Sequence, residues 1–106
     1  MTTVLGDKIQ KLRKEKGFTL EQLADLAGSS KSYIWELENK NPPRPSAEKL
    51  SKIAIQLGVT IEYLLDQEER VTEADATDEM FFRNYRQMDP KVKKRIREMV
   101  EIWKEE

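Results

Sequence analysis

The side chains of this sequence best suited to specific chemistry are Lys31, Ser32, Trp35 and Glu36. In a helix whose buried side is centred on Ile34, with about 100° between residues, Ser32, Glu36 and Asn39 fall nearly opposite that side. Lys31 and Trp35 then lie on one flank and Tyr33 on the other. An ammonium, a hydroxyl and a carboxylate on one face suit hydrogen-bonded recognition. A lysine can donate to guanine O6/N7 and a glutamate can accept from cytosine N4, while a serine is less selective. Trp35 offers apolar contact to a thymine methyl or a sugar edge; equally, it is a partly exposed packing residue. The chain has no histidine and no cysteine. That removes the commonest general base, the thiolate nucleophile and the usual zinc ligands. With no glycine-rich phosphate loop and no recognisable pair of catalytic carboxylates, the expectation is a binding protein and not an enzyme, without cofactor or metal.

Such a face has to be held from behind. Residues 20–39, LEQLADLAGSSKSYIWELEN, read as two short helices joined by a tight turn. Thr19 is an N-cap, and Gln22 three residues on completes a capping box. Leu20, Leu23, Ala24 and Ala27 repeat at helical spacing and make one apolar face. Gly28 ends this helix in the left-handed conformation that favours glycine. Ser30 caps the second helix, whose Ile34 and Leu37 point inward. The unit is a helix-turn-helix.

Ala24 where the helices touch, Gly28 in the turn, and Ile34 with Leu37 inside resemble the DNA-binding motif of phage repressors. The flanks LGDKIQKLRKEKGFT and IQLGVTIEYLL resemble the Cro/cI-type (XRE-like) five-helix domain, over roughly Leu5 to Leu65. The resemblance implies an all-α, lambda-repressor-like fold that binds double-stranded DNA through the major groove. It implies that Lys31, Ser32 and Glu36 read bases, and the helical geometry sets Trp35 beside them as a further candidate. It also implies an internal ion pair between Arg13 and Glu38, both inward by helical phase. The bland alternative for that pair is two solvated surface charges. Phosphate contacts are expected from Thr19, Gln22, Tyr33, Asn39, Lys40, Asn41 and Arg44. Glu36 repels phosphate unless it meets a donor, which sharpens the choice of target.

Helix one is expected over Leu5–Lys16, with Leu5, Ile9 and Leu12 inward and Lys8, Lys11 and Lys14 largely outside. Pro42, Pro43 and Pro45 stiffen the loop after the motif. Leu50, Ile53, Ala54 and Leu57 give helix four, and Ile61, Leu64 and Leu65 of helix five close the core. Three segments follow: a DNA-binding domain over 1–66 with its motif at 20–39, an acidic linker over 67–77, and a helical C-terminal oligomerisation segment over 78–106. Residues 67–79 hold one basic and six acidic residues, and the linker within them is too polar to bury itself. In the last segment Phe81, Phe82 and Tyr85 precede a stripe of Val92, Ile96, Met99, Val100 and Trp103. A face this apolar has to be covered: by a second copy first, else by the chain's own head, else by a different protein.

The net charge of −1 hides this division, because residues 80–106 hold eight basic and five acidic groups. Local potential governs phosphate affinity, so the average leaves DNA binding open. No apolar run approaches the ~20 residues of a membrane span, and no signal-peptide core follows Met1, so a cytoplasmic location is expected. The function expected is that of a dimeric repressor reading a near-palindrome with recognition helices roughly 34 Å apart. The alternative is an antitoxin or a prophage- or defence-type regulator whose tail binds another protein.

Overall fold

The computed structural model describes residues 3–40 and 45–105. These form seven helices and no strand: α1 (Val4–Glu15), α2 (Leu20–Ala27), α3 (Lys31–Asn39), α4 (Ala47–Leu57), α5 (Ile61–Leu65), α6 (Glu73–Arg86) and α7 (Pro90–Lys104). Each begins where a short polar side chain accepts from an orphan backbone N–H of the first turn. The caps are Thr3, Thr19, Ser30, Ser46, Thr60, Thr72 and Asp89. At Thr19 the capping box is complete, with Gln22 returning an acceptor to the Thr19 N–H at 2.9 Å. Gly28 closes α2 at φ +65°, and the Ser29 N–H donates to the Ala24 carbonyl at 2.8 Å.

The first five helices enclose one core. Ile9, Leu23, Ile34, Leu37, Leu50 and Ile53 are fully buried at its centre, with Leu57, Val59 and Leu64 beside them. Helices α1 and α3 come close enough that a Cβ at Gly6 would overlap the carbonyl oxygens of Leu37 and Glu38. Leu65 does not close the core as expected: it is 52% exposed. Helix α5 has only five residues, and Tyr63 and Leu64 occupy its inward side.

The segment 67–77 is not a free linker. Helix α6 starts at Glu73, inside it, so the connection is only the turn from Asp66 to Thr72, and the C-terminal helical segment begins before residue 78. Composition misled here because burial is carried by few residues, two of them one helical turn apart. Ala76 and Met80 are buried, and Val71 packs against the core. Two of the segment's acidic residues, Glu73 and Asp75, stand in the first turn of α6 at the positive end of the helix dipole. Lys8 is likewise not outside. Its ammonium donates to the carbonyls of Tyr63 and Asp66, both at 2.7 Å, and lies 4.3 Å from the centre of the Tyr63 ring.

Helix α7 buries none of its residues. It folds back beside α6, where Arg97 donates to the Tyr85 hydroxyl at 2.8 Å and Phe81 stacks on Tyr85. The head therefore covers part of α6 but leaves the stripe on α7 open, with Trp103 72% exposed. Among the described residues no helix is long and apolar enough to cross a membrane.

Candidate nucleic-acid interface

Helix α3 is anchored on one side and open on the other. Ile34 and Leu37 enter the core, and Glu38 beside them is 1% exposed. A carboxylate so deep requires a charged partner. Arg13 supplies it: Nε donates to Oε2 at 2.7 Å and Nη2 to Oε1 at 3.0 Å, while Nη1 donates to the Phe18 carbonyl at 2.9 Å. The guanidinium thus ties the end of α1, the turn after it and the end of α3 to one another.

On the outer side Lys31, Ser32, Glu36 and Lys40 are exposed together. Trp35 is 43% exposed beside them, with the Lys40 ammonium 5.8 Å from its ring centre. Asn39 is half-buried and turns its amide back to donate to the Trp35 carbonyl at 3.0 Å. Thr19 and Gln22 are exposed at the start of α2, their side-chain acceptors engaged in the capping box. Asn41 and Arg44 lie outside the described residues.

Tyr33, expected at the phosphate backbone, is half-buried. Its ring packs against the core, its hydroxyl is buried without a partner among the described residues, and burial raises its pKa. The Lys49 ammonium sits 4.6 Å from that ring. Three contributors escaped sequence reasoning. Lys49 lies in the first turn of α4, in a segment legible only as core-facing. Gly6 looks like an ordinary helical glycine until α3 is packed against it. Lys8 reads as a solvated face because its carbonyl partners are more than fifty residues away.

A capped two-helix unit, a left-handed glycine turn and a second helix bolted from behind with its polar face open make a recognition scaffold. The sequence model of the helix-turn-helix family matches residues 9–64. The chain belongs to the helix-turn-helix family. It is 40% identical over 72 residues to the HTH-type transcriptional regulator SinR of Bacillus subtilis (strain 168), a match covering 68% of this chain and 64% of SinR. The chain thus spans less than two thirds of that relative's length. Its fold resembles the crystal structure of SinR, master regulator for biofilm formation, in complex with DNA, with a TM-score of 0.56 and 40% identity over 58% of this chain and 98% of the other. It also resembles the SinR protein/SinI protein complex, with a TM-score of 0.59 and 26% identity over 96% of this chain and 99% of the other.

Proposed function

We propose that this helix-turn-helix protein is a sequence-specific, double-stranded-DNA-binding transcriptional regulator, acting in the cytoplasm as a dimeric repressor on a palindromic operator. The observation that carries this is the outward face of α3, where Lys31, Ser32, Trp35 and Glu36 stand exposed on a helix held by Ile34, Leu37 and the Arg13–Glu38 pair. A helix presented in this way enters the major groove with its N-terminal residues foremost. Lys31 donates to guanine, Glu36 accepts from cytosine, and Ser32 adjusts to either. Lys40 and Lys49 flank the face as phosphate donors, with Asn39 and the backbone N–H groups at the start of α2 fixing register. The likeness to SinR, one of whose structures is a DNA complex, supports the same assignment.

One such head covers few base pairs, so specificity needs two. Phe81, Ile96, Met99, Val100 and Trp103 line an open apolar groove of about 510 Å³ along α6 and α7, which a second copy of the same hairpin would fill. A second occupant is favoured by the likeness to the SinR/SinI complex: a different protein on the same groove, which would compete with dimer formation.

Selection of binding sites from random duplex DNA with the full chain tests the proposal. Enrichment of an inverted repeat supports it, and equal recovery of all sequences rejects it. Sedimentation of the purified chain, with capture of partners on residues 73–105, separates self-association from binding of a different protein.

A further inference from the structure

We infer that the joint formed by Lys8, Asp66 and Val71 is a positioning element that sets the spacing and relative orientation of the two half-sites, an inference that rests on the dimeric regulator proposed above. A continuous chain of close contacts runs from the reading helix to the tail. Helix α3 is held to α1 by the Arg13–Glu38 pair and by the close approach at Gly6. From α1, Lys8 reaches across the end of α5, and its ammonium donates to the carbonyls of Tyr63 and Asp66. Asp66 Oδ2 in turn accepts from the Val71 N–H at 2.8 Å, closing the turn, and Thr72 caps α6 directly after it. Ala76 then seats α6 on the core of the head.

Two features make this a stiff coupling and not a tether. The Lys8 donors land on backbone carbonyls, so they hold the path of the chain itself; such charge-assisted bonds are about twice as strong as neutral ones. The turn between α5 and α6 is also too short to swing freely once its ends are fixed. Surface pairs between Lys11 and Glu73 and between Arg83 and Glu62 lie along the same seam but add little by themselves. If two copies associate through α6 and α7, this joint decides where each α3 stands. A half-site displaced by about five base pairs, half a turn of the duplex, then presents its groove on the wrong side.

The test is parallel selection from random duplex DNA with the full chain, Lys8→Met, Lys8→Arg, and a variant carrying Gly-Ser-Gly inserted after Glu68. Methionine keeps the stem against Tyr63 and loses the donors; arginine keeps donors; the insertion loosens the turn without touching the core. The expected result is one half-site separation for the full chain and for Lys8→Arg. Lys8→Met and the insertion should enrich the same half-site sequence over several separations. Their preference for the native separation over one changed by about five base pairs should fall roughly tenfold or more, the equivalent of one lost charge-assisted hydrogen bond. An unchanged single separation in both loosened variants overturns the joint while leaving the regulator intact. Absence of any enriched half-site with the full chain overturns the regulator, and this inference with it.

Discussion

Arg13 and Glu38 meet through two near-parallel hydrogen bonds of 2.7 and 3.0 Å, joining the last turn of α1 to the last turn of α3. A fork-to-carboxylate match of this kind fixes direction as well as distance, so it orients α3 about its own axis. Removing one partner strands a buried charge. Arg13→Ala and Glu38→Gln are each expected to cost about 3–5 kcal/mol, while the apolar pair Arg13→Met with Glu38→Leu should cost less than either single change. Urea unfolding midpoints of the three variants check this.

Gly6 governs the same contact from the backbone side. A methyl group there meets the Leu37 and Glu38 carbonyls, which belong to a helix and cannot step aside independently. Gly6→Ala should therefore destabilise by about 1–3 kcal/mol despite the better helix propensity of alanine. In a thermal scan that is a fall of roughly 4–8 °C in Tm per kcal/mol for a domain of this size.

The outward residues of α3 should separate into two behaviours. Lys31→Ala is expected to cost about 1–3 kcal/mol at one base pair and relax the preference there. Lys40→Ala should weaken binding evenly across sequences and lower the salt slope by about 1. Neither change should move Tm, since both side chains are exposed. Affinities on the selected duplex and on single-base variants, measured across a salt series, distinguish the two.

The exposed face of α7 can be altered without touching the head, because none of its residues is buried. Met99→Asp with Val100→Asp is expected to convert a dimer to a monomer in sedimentation while leaving the helix content of the head unchanged. Apparent affinity for a palindrome should drop roughly a hundredfold or more as the second head loses its tether. A double mutant that remains dimeric would remove this groove as the interface.

Two carboxylates at the junction of head and tail should titrate in opposite directions. The Val71 N–H bound to Asp66 is the main reason its pKa lies below the usual 3.8. Asp66 therefore contributes stability that is complete above that value and lost as pH falls through its depressed folded value. Glu15 is pushed above the usual 4.5, chiefly by a hydrogen bond with Glu73. Its contribution is present below 4.5 and disappears as pH rises through the raised value. Carboxyl carbon NMR titration should find the Asp66 midpoint below 3.8 and the Glu15 midpoint above 4.5.

What sequence alone determined is what short-range rules govern. The caps at Thr19, Ser30 and Ser46, the glycine turn at Gly28, and the inward phase of Ile34 and Leu37 depend on neighbours within a few residues. Helical phase together with family resemblance was enough to bring Arg13 and Glu38 together, and phase alone to turn Lys31, Ser32 and Glu36 outward. What only the tertiary structure decided depends on partners distant along the chain. Gly6 matters because α3 arrives above it, Lys8 because two carbonyls from α5 and its exit turn wait beside it, and Tyr33 because its ring packs partly against the core beside Lys49. Ala76 and Met80 are the clearest case. A small side chain and a single methionine in an acidic stretch carry too little apolar weight to mark a docked helix, yet both are buried, and Ala76 joins the core of the head.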